Sequence, residues 1–233
     1  MSYPIDTTPE SPNQSSRNGQ RIGMLVLHAT VGSYESSLAW LCNPQPDHPE
    51  LRVSTHYLIR KDGYINQLVP DAMAAWHAGR SSWMGMNSRQ IEERSIGIEL
   101  ENDNDGHDPY PPAQLAAAHW LCQSLIARYN IERADVVRHL DIAIPKGRKT
   151  DPAGLPWPAF ANSLYMDIPS VAARAFRVTG LPIYQRPSLD GPLAGHLVSG
   201  DTVLIDMIYA NGAGHDAVGR GFVDMDGLEE PHA

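Results

Sequence analysis

Apolar residues fall along this chain in short blocks that alternate between two periods. Ile22, Met24, Leu25, Val26 and Leu27 form a nearly continuous aliphatic run, the pattern of a strand buried on both faces, and it delivers His28 at its end. Ser33 then stands as an N-cap before a helical stretch, Tyr34 to Cys42, with Leu38 and Leu41 on one face, and Asn43 and Pro44 stop it. Val53 to Arg60 and Tyr64 to Val69 are β-rich runs joined by Lys61–Asp62–Gly63, which predicts a hairpin. Ser95 to Leu100 reads as another buried strand. Pro111 and Pro112 open a long helix whose Leu115, Ala118, Cys122, Leu125, Ile126 and Tyr129 recur at helical spacing. Ala134 to Arg138 predicts a short strand ending at His139, and a loop from Asp141 to Pro158 leads into a last helix, about Ala159 to Ala175. These elements predict an α/β domain, a mixed sheet with helices packed on it.

The texture changes at both ends. Residues 1–20 are rich in Ser, Pro, Asn and Thr, without a basic start or an apolar stretch, and read as a flexible leader rather than a secretory signal. After Phe176, short β-like runs (Pro182–Tyr184, Gly195–Val198, Thr202–Ile208, Gly221–Asp224) alternate with Gly, Pro and Asp turns, predicting a small all-β barrel. The expected organisation is therefore a leader over 1–20, an α/β domain over 21–176 and a β domain over 177–233. No apolar run approaches the roughly 20 residues that span a bilayer, so membrane insertion is not expected.

Charge narrows the partners. The net charge of −9 lacks the concentrated basic surface that nucleic acid requires. It is also uneven: from Val178 onward two basic residues face eight acidic ones, a net of −6. Cys42 and Cys122 are too few for a disulfide scaffold, and both lie in apolar helical patterns as expected of buried free thiols, with a single pairing left open.

Three residues carry candidate chemistry. His28 and His139 each end an apolar strand, and Asp151 follows in a loop. Two imidazoles and a carboxylate suit a catalytic zinc with a fourth position for water. Ten histidines make accidental triples common, so spacing alone does not choose this set over His28, His56 and His139.

The wording around these residues is similar to the type 2 N-acetylmuramoyl-L-alanine amidase family, which includes phage amidase lysozymes, recycling amidases and peptidoglycan recognition proteins. The likeness rests on Val26-Leu27-His28 with Thr30, Ser54-Thr55-His56-Tyr57-Leu58-Ile59, Ala75-Trp76-His77-Ala78-Gly79 and Ser95-Ile96-Gly97-Ile98-Glu99. Arg138-His139 and Gly147-Arg148-Lys149-Thr150-Asp151-Pro152 complete it, in family order. The resemblance implies His28, His139 and Asp151 as zinc ligands, Glu99 as the group acting on the zinc-bound water and Lys149 as an oxyanion stabiliser. It also implies His56, His77, Trp76 and Asn87, with Trp83, along the substrate groove. Glu101, two residues beyond Glu99 on the same strand face, is the competing carboxylate. Where many members carry a tyrosine this chain has Thr55, so no catalytic role is carried over to Tyr57.

The C-terminal segment resembles a bacterial SH3-like module in Leu181-Pro182-Ile183-Tyr184, Gly200-Asp201-Thr202-Val203 and Gly221-Phe222-Val223. Together the resemblances imply a zinc amidase cutting the lactyl–L-alanine amide of peptidoglycan, with glycan strand and stem peptide as partners. Such an enzyme is a phage endolysin or a bacterial wall hydrolase, and with no signal visible cytoplasmic synthesis with lysin-type release is the expectation. The competing readings are a non-catalytic peptidoglycan-binding protein and a cytosolic muropeptide-recycling amidase.

Overall fold

The structure is a computed structural model that describes residues 3–45 and 47–166, together with seven strands between 174 and 229. It divides into two compact units, Met1–Ala161 and Asn162–Ala233.

The first unit is built on a six-stranded sheet. Its elements in chain order are β1 (Ile5–Asp6), β2 (Gln14–Ser16), β3 (Met24–Ala29), α1 (Tyr34–Leu41), β4 (Tyr57–Ile59), β5 (Ile65–Gln67) and β6 (Met73–Ala75). There follow β7 (Ser82–Trp83), β8 (Met86–Asn87), α2 (Ser88–Arg94), β9 (Ser95–Leu100), α3 (Pro112–Tyr129), β10 (Val136–Arg138), α4 (His139–Ile142) and the first half of α5 (Trp157–Met166). The sheet order is β1-β5-β4-β9-β3-β10. Strands β4, β9, β3 and β10 run parallel, so their carboxyl ends share one edge. In open α/β sheets that edge is where ligands bind.

Strand β9 shows how the two faces divide the work. Its register pairs Met24 with Ser95, Val26 with Gly97 and His28 with Glu99. Alternation therefore puts Ser95, Gly97 and Glu99 on one face and Ile96, Ile98 and Leu100, all fully buried, on the other. The buried stripe of α3 includes Ala117, Ala118, Leu121, Cys122 and Leu125, and the helix packs against β4. On the first face Met24 and Val26 pack with Ala78, Ile91, Val137 and Ile142. Fully burying each such aliphatic side chain contributes roughly 1.5–3 kcal/mol, which makes this layer the rigid floor of the site.

The hairpin predicted at Lys61–Asp62–Gly63 forms between β4 and β5, with Gly63 at φ +88°. A Cβ there would also stand 2.8 Å from the Ala113 carbonyl oxygen, so both conformation and space demand glycine. Ser33 caps α1 as expected, accepting from the Ser36 N–H. Cys42 and Cys122 are both free, and burial pushes the Cys122 thiol up to about 12.

Three expectations change. The leader is packed: Ile5–Asp6 pairs with β5, Gln14–Ser16 pairs with β6, and Ser11, Asn13 and Arg17 are buried. Its docking is polar. Ser11 Oγ donates to the Leu41 carbonyl, and Asn13 Nδ2 to those of Asn43 and Val53. The unpredicted helix α2 lies between the β7–β8 hairpin and β9. The last helix does not reach Ala175: α5 is described over Trp157–Met166, residues 167–173 lie outside the described residues, and Arg174–Val178 is a strand.

In the second unit, β11 (Arg174–Val178), β12 (Leu181–Tyr184), β13 (Leu193–Leu197), β14 (Thr202–Ile208), β15 (Ala213–Asp216), β16 (Phe222–Asp224) and β17 (Leu228–Glu229) form one sheet. Its order is β13-β12-β16-β15-β14-β11-β17, with every pairing antiparallel. No helix among the described residues is long and apolar enough to cross a membrane.

Candidate metal centre

His28 is the penultimate residue of β3, Glu99 the penultimate residue of β9, and His139 follows β10 directly. The three parallel strands thus deliver two imidazoles and a carboxylate to one edge of the sheet. Asp151 arrives on a loop, but a tethered one, because its carbonyl accepts the Leu140 N–H at 3.1 Å in the first turn of α4. That turn is itself held. The Asp141 carboxylate takes the Arg138 backbone N–H at 2.9 Å and two bonds from its guanidinium, at 2.9 and 2.8 Å. His139 therefore projects from a locked backbone.

The three groups converge. His28 Nδ1 lies 2.9 Å from His139 Nδ1, and Asp151 Oδ2 is 2.9 Å from His139 Nδ1 and 3.5 Å from His28 Nδ1. All three residues are buried, at 1%, 4% and 4% exposure. On their far sides, His28 Nε2 is 3.0 Å from His77 Nδ1 and His139 Nε2 is 3.2 Å from the Ala78 carbonyl oxygen. A carbonyl only accepts, so His139 carries its proton on Nε2 and turns a lone pair toward the other two groups. Nitrogen and oxygen lone pairs in such proximity repel unless a cation lies among them. His28, His139 and Asp151 thus form a buried group able to hold a metal ion, and two imidazoles with one carboxylate suit zinc.

The electrostatics agree with that donor set. Burial, reinforced by the neighbouring His139, lowers the His28 pKa to about 4, which keeps the ring neutral and able to ligate. Burial alone would raise the Asp151 carboxyl, but the proximity of His139 and His28 outweighs it and keeps the group ionised.

A cleft of about 370 Å³ opens over these residues, lined by Thr30, Val31, Trp40, Glu99, Lys149 and Asp151 among others. Glu99 Oε2 is buried without a hydrogen-bond partner. Burial, then the charge of Asp151, raises its carboxyl to about 8, while Lys149 pulls in the opposite direction. Glu101 is differently placed: its two oxygens accept the backbone N–H groups of Tyr34 and Lys61, at 3.1 and 2.9 Å. Of the two carboxylates, Glu99 is the one free to face a ligand.

The residues expected along the groove separate. His77 reaches the cleft, but the residue is only 7% exposed and its ring spans His28 and Ser95. His56 is fully buried: its Nδ1 accepts the Gly97 N–H at 3.0 Å, and its Nε2 lies 3.1 Å from the Met73 carbonyl and 2.8 Å from Arg17. The rival set with His56 therefore does not assemble. Trp76 is half-buried, with Nε1 donating to Ser15 at 3.1 Å. Asn87 caps α2 in a capping box with Gln90, and Trp83 packs on the core beside Ile91. The Tyr57 hydroxyl donates to Asp71.

Residues not anticipated from the sequence are Val31 and Trp40, 64% and 48% exposed on the cleft wall. Val31 adopts φ +59°, a conformation that a β-branched residue rarely takes. Strain of this kind costs about 1–3 kcal/mol and gathers at ligand sites. No spacing signal marks it in advance.

A parallel-edged α/β sheet presenting a His/His/Asp group beside a half-buried glutamate whose Oε2 is buried defines a candidate metallohydrolase. The chain belongs to the Amidase_2 family, N-acetylmuramoyl-L-alanine amidase, whose model matches residues 18–154. It is similar to the N-acetylmuramoyl-L-alanine amidase AmiD of Escherichia coli (strain K12), 40% identical over 175 residues, covering 69% of this chain and 58% of that protein. It is also similar to the 1,6-anhydro-N-acetylmuramyl-L-alanine amidase AmpD of Salmonella typhimurium (strain SL1344), 43% identical over 112 residues, covering 47% of this chain and 56% of that one. The match thus spans rather more than half the length of these two relatives. Among solved structures, the complex of E. coli AmiD with the substrate anhydro-N-acetylmuramic acid-L-Ala-D-γ-Glu-L-Lys superposes with a TM-score of 0.53 at 36% identity. That superposition covers 66% of this chain and 60% of AmiD.

Proposed function

We propose that the protein is a zinc-dependent N-acetylmuramoyl-L-alanine amidase that hydrolyses the amide between the lactyl group of N-acetylmuramic acid and L-alanine in peptidoglycan. The observation that carries this reading is the convergence of His28 Nδ1, His139 Nδ1 and Asp151 Oδ2 beside the unpartnered carboxylate of Glu99. Family membership supplies the bond type, and the AmiD complex shows that a relative takes a muramyl peptide.

In this reading His28, His139 and Asp151 hold the zinc, which when bound polarises the scissile carbonyl and acidifies a water. Glu99 accepts the proton of the attacking water and returns it to the departing alanine amine. Burial raises this carboxyl to about 8, and the positive charge of a bound zinc would lower it toward the range in which it both accepts and returns a proton. Lys149, on the cleft wall, offers its ammonium to the developing oxyanion. Val31 and Trp40 give substrate an apolar wall.

The seven-stranded second unit is read as an SH3-like module that holds the enzyme to the wall. The net charge of −6 from Val178 onward opposes adhesion to anionic polymers, so stem or bridge peptide is the proposed ligand. The 1,6-anhydro specificity in the AmpD name favours a second reading, the recycling of soluble muropeptides. Comparing turnover of intact sacculi with that of soluble anhydro-muropeptides separates the two. A non-catalytic binding protein is disfavoured because all three ligands, Glu99 and Lys149 are present.

The deciding experiment is elemental analysis with amine-release and reducing-end assays on sacculi, for wild type and Asp151→Ala. About one zinc per chain and new alanine amines without new reducing ends, both lost in the variant, are expected. Stoichiometric zinc without cleavage of either substrate overturns the amidase reading, and absence of zinc overturns the site.

A further inference from the structure

One segment touches both ligand histidines. The nitrogens of His28 and His139 that face away from Asp151 are met by adjacent residues, the His77 ring and the Ala78 carbonyl. His77 is seated in turn by strand β9. Its Nε2 lies 2.8 Å from Ser95 Oγ, and its ring covers Gly97 so closely that an added Cβ would stand 2.5 Å from His77 Cγ and 2.9 Å from Nδ1. The backbone just before it is clamped: the Trp76 N–H donates to Ser54 Oγ at 2.8 Å, and the Ser54 N–H donates to the Trp76 carbonyl at 3.1 Å. The Glu92 carboxylate accepts the N–H groups of Ala78 and Gly79 from the other side.

We infer that the dipeptide His77–Ala78 is a template that sets both ligand histidines as Nε2–H tautomers, with Ser95 and Gly97 of β9 as the socket that holds it. The inference rests on the metal reading proposed above. The Ala78 carbonyl admits only one direction, His139 Nε2–H donating. With a cation on the two Nδ1 atoms, the His28 proton also lies on Nε2 and donates to His77 Nδ1. The His77 proton then sits on Nε2 and donates to the Ser95 hydroxyl. His77 is a positioning residue: it touches a ligand, not the reacting bond. The stripe Ser95-Gly97-Glu99 thereby has a connected use, with Ser95 and Gly97 seating the template and Glu99 facing the cleft.

The test measures zinc affinity of the full chain by chelator competition, beside the unfolding midpoint of the metal-free protein. Asn places a polar atom near Nδ1 of the replaced ring, and Gln places one near Nε2. Outer-shell partners of metal-bound histidine typically contribute 10–100-fold in affinity, so His77→Ala and Gly97→Ala are expected to lose about that much. His77→Asn, which keeps the partner for His28, should stay within a few-fold of wild type, and His77→Gln should resemble His77→Ala. Nitrogen-15 spectra of the zinc-loaded wild type should show His28 and His139 as Nε2–H tautomers. Wild-type affinity in His77→Ala and Gly97→Ala, equal losses in the Asn and Gln variants, or an Nδ1–H on His28 would each overturn the template. If His77→Ala fails to fold, the Asn and Gln pair decides. A wild type that binds no zinc sinks the metal reading together with the template, whereas wild-type zinc with unaffected variants sinks the template alone.

Discussion

Two glutamates two positions apart, Glu99 and Glu101, illustrate how little a residue type says about its task. Glu101 spends both oxygens on the backbone amides of Tyr34 and Lys61, tying α1 and the β4–β5 turn to the end of β9. Glu99 has a buried oxygen with no partner. Glu99→Gln should therefore retain zinc and fold while lowering kcat on muramyl peptides by roughly 100- to 10,000-fold, the usual contribution of a positioned base. Glu101→Gln should leave kcat within a few-fold and instead lower the unfolding free energy measured in urea by about 1–2 kcal/mol for the weakened bonds. Equal kcat losses in both variants would remove the distinction. Strand alternation made both carboxylates visible in the sequence, but only their long-range partners separate them. The same holds for the histidines. The candidate ligand set, whose convergence the fold shows, is legible from strand ends and family wording. The tasks of His56 and His77 depend on Arg17, Met73, Ser95 and Gly97, distant in the chain, and no local pattern encodes those meetings.

Among elements, β3, β9 and α3 are legible because their cores are apolar and periodic, and the β4–β5 turn because Asp-Gly chemistry marks it. Helix α2 is not: Ser88–Arg94 holds one aliphatic residue, Ile91, in seven. Its signature was the capping box from Asn87 to Gln90, a backbone task overlooked when Asn87 is read as a groove residue. The N-terminal segment escapes for a related reason, since hydrogen bonds rather than apolar burial dock it. Arg17 donates to the carbonyls of Asp71, Glu93 and Ser95 at 2.7, 2.8 and 3.0 Å, and burial lowers its pKa to about 10. Arg17→Ala leaves those acceptors unpaired, so a stability loss of about 2–4 kcal/mol in urea is expected. A loss below about 0.5 kcal/mol would restore the flexible-leader reading. Helix α2 also carries a pH signature. Burial raises the Glu92 carboxyl from 4.5 to about 7, against the pull of the Ala78 and Gly79 amides. A folded-state pKa above the unfolded value stabilises fully below pH 4.5, and that contribution is lost as pH rises toward and past 7. Glu92→Gln should thus raise metal-free stability at pH 8.5, by on the order of 1–3 kcal/mol, and match wild type near pH 4.5. A gap of the same size at both pH values would show that packing, not ionisation, sets it.

For the whole molecule, the decisive asymmetry is where the ligands come from. His28, His139 and Asp151 lie 111 and 12 residues apart in sequence, yet their donor atoms all lie within 4.8 Å of one another. An unfolded chain cannot hold such a group together, so a zinc ion held there would bind only the folded first unit and its binding free energy would add to folding. At a free zinc concentration a hundredfold above Kd the linkage contributes about 2.7 kcal/mol, and at a thousandfold about 4.1. Chelation of the intact protein should therefore lower the unfolding midpoint, and excess zinc should restore it and raise it further with concentration. Asp151→Ala should respond to neither treatment. The variant also separates linkage from simple repair of a damaged fold: it leaves the two histidines facing each other without the carboxylate, so its midpoint should fall near that of the chelated wild type. A midpoint indifferent to chelator in the wild type would mean that the convergence of these groups at the sheet edge is held by protons, and that no metal contributes to the stability of this fold.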